Sequence, residues 1–73
     1  IQVEVDRIEQ IEPALGAGAE RLLLDNMPVP MLRKAVAVVA GRVPTEASGG
    51  VNLDTVRPIA ETGVTYISVG RIT

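Results

Sequence analysis

The sequence predicts an α/β fold of parallel βα repeats that make up about half of a TIM-like (β/α) barrel. Four apolar runs end in polar residues, and the steps between these ends are 21, 23 and 22 residues, marked by Glu4, Asp25, Ser48 and Gly70. Apolar residues at helical spacing fill the intervals, a pattern typical of βα units. The carboxyl ends of parallel strands form one rim, where ligands bind. That rim is the predicted location of function.

The length of the chain fits a part of such a barrel. It has 73 residues, whereas a closed (β/α)₈ barrel takes about 250. We therefore expect residues 1–73 to be a partial barrel domain, excerpted from a longer chain that holds the missing barrel strands.

Composition excludes several kinds of chemistry. With no cysteine and no histidine in the sequence, disulfides, thiolate zinc sites and histidine acid–base catalysis cannot come from these residues. A net charge of −2 indicates no nucleic-acid partner. Neither a membrane span nor a signal peptide is visible, so we expect no membrane partner and a cytoplasmic location.

The apolar pattern places four strands and three helices. Strands are predicted at residues 1–5, 22–25, 43–47 and 66–69. The first helix is predicted to begin at Asp6, with Glu9 completing a capping box. The second has Pro30 at its first position, a buried stripe of Leu32, Ala35, Val36 and Val39, and Gly41 at its end. The third begins at Asn52, and its inner face is Leu53, Val56, Ile59 and Ala60. Pro13 predicts either a kink or a regular helix that starts near Glu12, with Pro13 in its first turn. Pro58 is predicted inside the third helix, where it would cause a kink.

Two glycine-containing turns predict a phosphate site. Ser48-Gly49-Gly50 and Ser68-Val69-Gly70 follow neighbouring strands, one repeat apart. Glycine lets the backbone approach an anion closely, and the N–H groups that follow can bind it. The alternative is that these glycines only form tight turns. Their pairing at the repeat spacing favours phosphate binding.

Two carboxylates end the first two strands. Glu4 and Asp25 could hold Mg²⁺, mostly through water, or bind ribose hydroxyls. Alternatively, Glu4 pairs locally and Asp25 forms an Asx-turn, and the spacing does not separate these readings. Glu46 is a further candidate, whose partner could equally be a structural Lys or Arg outside this chain.

Five segments resemble those of the quinolinate phosphoribosyltransferase family, also called carboxylating nicotinate-nucleotide pyrophosphorylase. They stand in order and at fitting spacing, as EVD at 4–6, LDNM at 24–27, EASGG at 46–50, ETGV at 61–64 and ISVG at 67–70. The resemblance implies the later half of that family's barrel domain. It also implies an enzyme that converts quinolinate and phosphoribosyl pyrophosphate to nicotinate mononucleotide, pyrophosphate and CO₂ in de novo NAD biosynthesis.

The resemblance also implies the site and its partners. Glu4 and Asp25 would be the catalytic carboxylates near the ribose and a Mg²⁺ cofactor. The phosphate end would be lined by four residues, Ser48, Gly49, Gly50 and Gly70. The intact protein would be a homo-oligomer. The Arg, His and Lys residues with which the family binds quinolinate lie upstream of this chain.

Two alternatives stay open. One is a sister phosphoribosyltransferase, either molybdenum-transport-associated or nicotinate-specific, which only upstream residues could distinguish. The other is a non-catalytic half-barrel that binds phosphate. The excerpt by itself is expected to be inactive because it lacks the acid-substrate half of the site.

Overall fold

The computed structural model describes residues 1–49 and 51–68, and in them four parallel strands alternate with helices. The strands pair in chain order, each parallel to the next. This confirms the predicted α/β fold and the parallel βα repeat. The elements are β1 (Gln2–Val5), a 3₁₀ helix (Ile8–Gln10), α1 (Ile11–Gly16), β2 (Arg21–Asp25), α2 (Val29–Val39), β3 (Thr45–Ser48), α3 (Val56–Ala60) and β4 (Tyr66–Ile67).

The helices pack on one face of the sheet and form an aliphatic core with it. Alternate strand residues point to that face, among them Val5, Leu22, Leu24 and Ala47, each no more than 2% exposed. The helices contribute buried residues at helical spacing, including Ile11, Ala14, Leu32, Ala35, Val39 and Ile59. The core therefore fixes which residues of each strand are left for the opposite face.

The first helical segment starts later than predicted, because a glutamine caps it. The side-chain oxygen of Gln10 accepts hydrogen bonds from the backbone N–H of Asp6 (2.8 Å) and Arg7 (3.3 Å). Gln10, not Glu9, thus provides the side chain that returns to the backbone. A regular helix begins only at Ile11, so Pro13 lies in the first turn of α1, where its missing N–H costs nothing.

The second helix matches its predicted apolar stripe, with small differences at both ends. It starts at Val29, so Pro30 occupies the second position, not the first. Its last residue is Val39, and the next residue, Ala40, is the C-cap with a left-handed φ of 52°. Gly41 follows with φ 76°. Left-handed residues of this kind terminate helices because their geometry interrupts the regular hydrogen bonding.

The third helix is shorter than predicted because a turn precedes it. The Asn52 side chain accepts hydrogen bonds from the backbone N–H of Asp54 (2.8 Å) and Thr55 (3.1 Å), so Asn52 caps this turn and not α3. Leu53, predicted to be part of the buried helix face, is 77% exposed. Pro58 falls in the first turn of α3, which explains why it causes no kink.

One exposed ion pair joins α1 to the end of α2. Arg42 donates two hydrogen bonds to the Glu12 carboxylate, at 2.8 Å and 3.3 Å. These hydrogen bonds, and then the charge of Arg42, lower the pKa of Glu12 below its ordinary value. The ionised Glu12 therefore stabilises the folded protein at any pH above the ordinary pKa of a glutamate. This stabilisation is lost as the pH falls through the lowered pKa that Glu12 has in the folded protein.

We therefore expect Glu12→Gln to lower the melting temperature of the intact parent protein slightly at neutral pH. The difference from wild type should disappear in acid, where Glu12 is protonated in both states. Melting curves across a pH series measure this. Glu9→Gln is the matched control, since Glu9 forms no ion pair with another described residue. A pH-independent difference would contradict the prediction.

No helix in the described ranges 1–49 and 51–68 is long and apolar enough to cross a membrane.

Candidate functional site

The sheet has a second face, opposite the helices, on which polar residues predominate. Here called the polar face, it is formed by the alternate strand residues Gln2, Glu4, Arg21, Leu23, Asp25, Glu46, Ser48 and Tyr66. In a closed barrel whose helices lie outside, this face lines the interior. Glu4, Asp25 and Ser48 therefore share one face of the sheet.

Asp25 and Ser48 form the centre of the site at the carboxyl ends of β2 and β3. They are register partners, and the Ser48 hydroxyl donates a hydrogen bond of 3.2 Å to Oδ1 of Asp25. Just beyond, the Asn26 N–H donates to the Ser48 carbonyl at 2.8 Å. The Asp25 carboxylate is thus held by the next strand. No described backbone N–H binds it, so the structure gives no support to the Asx-turn alternative.

Gly49 lies against this carboxylate so closely that a side chain would not fit. A Cβ built on Gly49 would be 2.8 Å from Oδ1 of Asp25 and 2.9 Å from the Asn26 nitrogen. Gly49 has φ 80°, and Asn26 is also left-handed with φ 58°, a conformation that asparagine adopts more readily than most residues. Glycine is therefore required here by both space and backbone conformation.

Glu4 lies on the same face but not at the same level. It pairs in register with Leu23, two residues before Asp25 on the neighbouring strand. Glu4 is exposed, so its carboxylate is available on the polar face. The structure therefore places the two acidic residues as diagonal neighbours and not side by side.

These carboxylates suit a Mg²⁺ ion that takes most of its ligands from water and substrate, but not one coordinated entirely by protein side chains. No cluster of three or more His, Cys, Asp or Glu side chains occurs within the described residues. Mg²⁺ needs only one or two carboxylates when waters and substrate phosphates complete its octahedron. Asp25 fits that role, since the Ser48 hydroxyl binds one of its two oxygens.

The two remaining site glycines, Gly50 and Gly70, lie outside the described residues. The end of β4 can be followed as far as Ser68, whose N–H donates to the Ala47 carbonyl at 2.8 Å. This bond continues the parallel pairing of β3 and β4 up to Ser68. The rest of the second predicted turn lies outside the described residues.

A cavity of about 310 Å³ lies at the same rim, next to the Asp25 strand end. Its lining is mostly apolar and includes Asn26, Met27, Pro28, Val29, Gly49, Thr55 and Ile59. The rim therefore has both a polar strand end and a recess between the loops that follow β2 and β3.

The sequence analysis missed a basic residue on the polar face. Arg21 forms an ion pair with Glu46, and its guanidinium lies over the Tyr66 ring, 4.4 Å from the centroid. The partner of Glu46 is thus within the chain. The signal that could have revealed it was the alternation of β2, which puts positions 21 and 25 on one face.

Comparison with known proteins identifies the family. The profile of "Quinolinate phosphoribosyl transferase, C-terminal domain" matches residues 1–73. The chain belongs to this family. The family therefore agrees with the resemblance seen in the five sequence segments.

Individual members of the quinolinate phosphoribosyltransferase family are similar over the entire chain. The chloroplastic nicotinate-nucleotide pyrophosphorylase [carboxylating] of Oryza sativa subsp. japonica is 43% identical over 100% of this chain and 24% of its own length. A probable enzyme of the same name from Bacillus subtilis is 38% identical over 100% of this chain and 25% of its own. The chain thus spans about a quarter of these curated relatives.

Solved structures show the same fold. Nicotinate-nucleotide pyrophosphorylase from Ehrlichia chaffeensis has a TM-score of 0.88 and 46% identity, covering 94% of this chain and 25% of that one. Thiamine phosphate pyrophosphorylase from Pyrococcus furiosus has a TM-score of 0.84 and 31% identity, covering 94% of this chain and 37% of that one. This part of the fold is therefore shared by enzymes with different names.

Proposed function

We propose that this chain is the phosphoribosyl-binding part of a quinolinate phosphoribosyltransferase. The intact enzyme would convert quinolinate and phosphoribosyl pyrophosphate to nicotinate mononucleotide, pyrophosphate and CO₂. The observation that carries the proposal is the Asp25 carboxylate, fixed by the Ser48 hydroxyl and closely approached by the bare backbone of Gly49. Family membership over the whole chain supports it.

Asp25 and Glu4 would act electrostatically and not as proton carriers. Loss of pyrophosphate leaves positive charge on the ribose ring, which nearby carboxylates stabilise if they are already in place. The hydrogen bond from Ser48 holds Asp25 in one orientation before the substrate arrives. Glu4, on the next strand, would bind the ribose hydroxyls from the side.

Mg²⁺ is part of this proposal. Asp25, and Glu4 through water, would hold it, and when bound it would neutralise charge on the pyrophosphate leaving group. Ser48, Gly49, Gly50 and Gly70 would line the 5′-phosphate end. Gly49 supports this role because its lack of a side chain leaves backbone atoms at the surface of the rim.

The intact parent protein tests the proposal directly. Purified parent, incubated with phosphoribosyl pyrophosphate, Mg²⁺ and carboxyl-labelled quinolinate, is expected to release labelled CO₂ and form nicotinate mononucleotide and pyrophosphate in equal amounts. Omitting phosphoribosyl pyrophosphate is the control, because decarboxylation should require the ribosyl transfer.

The acid substrate separates this proposal from its alternatives. Turnover with nicotinate but not with quinolinate would favour the nicotinate-specific sister enzyme. Failure to turn over either acid, with retained phosphate binding, would favour a non-catalytic phosphate-binding protein. Homo-oligomerisation of the parent and its cytoplasmic location stay predictions, to be measured by light scattering and cell fractionation.

A further inference from the structure

Three neighbouring strands each contribute one side chain to a contact on the polar face. Arg21 comes from β2, Glu46 from β3 and Tyr66 from β4. The guanidinium pairs with the Glu46 carboxylate and at the same time lies over the Tyr66 ring, with Cζ 4.4 Å from the ring centroid. The three residues are here called the Arg21 cluster.

The cluster is partly withdrawn from solvent. The side chain of Arg21 is 37% exposed and that of Glu46 21% exposed, and Nε of Arg21 is buried without an acceptor among the described residues. A charge-assisted hydrogen bond and a cation–π contact both gain strength when water is partly excluded. Arg21 therefore joins β3 and β4 from the polar side.

The Arg21 cluster lies close to the rim at which β3 and β4 end. Glu46 and Tyr66 are register partners, and two residues further along their strands stand Ser48 and Ser68. Ser48 binds Asp25, and Ser68 continues the pairing of β4 with β3 through its bond to Ala47. Within the described residues, the regular ladder of β4 on β3 comprises Tyr66 and Ile67, so the Arg21 cluster adds side-chain contacts on the polar face to a short ladder.

We infer that Arg21 is a positioning residue for the phosphate end of the site. By holding Tyr66 and Glu46 together, it sets Ser68, two residues beyond Tyr66, beside Ser48 and Gly49, so that these residues bind one phosphate group jointly. Arg21 itself does not touch the phosphate. This inference rests on the proposed function only for its kinetic readout, since binding of phosphate can be measured without turnover.

The decisive variants, made in the intact parent, are Arg21→Met and Tyr66→Leu. Each removes the contact between β2 and β4, and each is expected to raise KM for phosphoribosyl pyrophosphate about three- to tenfold. The value of kcat and the KM for quinolinate should change less than twofold. The double variant should be no worse than Arg21→Met, because the contact with Tyr66 is already lost in that single variant. Arg21→Lys should be intermediate, and Tyr66→Phe, which keeps the ring, should resemble wild type.

Calorimetry with inorganic phosphate gives a second readout that does not depend on activity. Arg21→Met and Tyr66→Leu should weaken phosphate binding by the same factor as they raise KM. Arg42→Met is the matched control. It breaks a more exposed arginine–glutamate pair on the helical side and should lower the melting temperature while leaving phosphate binding unchanged.

The outcomes separate the two proposals. An inactive wild-type parent whose phosphate binding responds to Arg21→Met would reject the enzyme and keep the positioning role. An active parent in which Arg21→Met and Tyr66→Leu lower only the melting temperature would reject the positioning role alone. An equal rise in KM for both substrates would also reject it, since the effect would then not be specific to the phosphate end.

Discussion

Replacing Asp25 by alanine in the intact parent is expected to slow turnover about 10²–10³-fold, the usual effect of removing one electrostatic group from an active site. Folding should be affected much less. Asp25 is only half-buried and makes one described side-chain hydrogen bond, to Ser48, and such a bond contributes about 1 kcal/mol. Steady-state kinetics and a melting curve on the same variant measure both effects.

Asp25→Asn separates charge from hydrogen bonding. It keeps an oxygen that can accept from the Ser48 hydroxyl but removes the negative charge. We expect it to be nearly as slow as Asp25→Ala and as stable as wild type, and Ser48→Ala to be milder than both. Near-normal turnover in Asp25→Asn together with a reduced melting temperature in Asp25→Ala would assign Asp25 a structural role, and Glu4 would then need the same test.

Replacing Gly49 by alanine is expected to damage both stability and turnover. A left-handed φ costs a residue with a side chain about 1–2 kcal/mol. The new Cβ would in addition meet Oδ1 of Asp25 and the Asn26 nitrogen at less than 3 Å. Since the Asn26 contact is backbone, the strand ends themselves must move apart, and Asp25 moves with them. Thermal melting and kcat/KM report the two losses.

Gly41→Ala is the control for backbone conformation. Gly41 has φ 76°, close to the 80° of Gly49, but a Cβ there would meet nothing within 4 Å. We expect Gly49→Ala to lose more stability than Gly41→Ala by about 1 kcal/mol or more, the usual cost of overpacking, and only Gly49→Ala to lose activity. Equal losses in both variants would show that the contact with Asp25 and Asn26 is unimportant.

The fold could be predicted because its signals repeat along the chain. Strand residues alternate between buried and exposed positions, and leucines at 22 and 24 mark the buried face of β2. The same alternation placed Glu4, Asp25 and Ser48 on one face. Such periodicity comes from backbone geometry alone, so it is visible without knowledge of tertiary contacts.

The starts of the helices were harder to predict, since several side chains can cap the same turn. Gln10 takes the role expected of Glu9, and Asn52 caps a turn that precedes α3. Both choices depend on small differences in local hydrogen bonding. The turn at Asn52 also explains why Leu53 lies outside the core, although its spacing fits the buried stripe.

The Arg21 cluster depends on register, which the sequence did not specify. Leu23 pairs with Glu46, so Arg21 lies diagonally across from Glu46 and can reach it. A shift of β3 by two residues toward the rim would keep every side chain on its face, yet it would place Glu46 opposite Asp25 and away from Arg21. The position of Asp25 and Ser48 at the rim was easier to predict, because both residues stand at the carboxyl end of a strand.

The two faces of the sheet also determine which kinds of evolutionary change this chain can accept. Substitution at positions 4, 25 or 48 alters the chemistry of the rim while the apolar residues between them keep packing against the helices. Deletion of Leu23 would instead make Leu22 and Leu24 adjacent and so place them on opposite faces. With Leu22 held in the core, Leu24 would turn outward and Asp25 would turn toward the aliphatic core. New substrate preferences in such a protein should therefore arise through point replacements in the strands, with gains and losses of length confined to the loops between strands and helices.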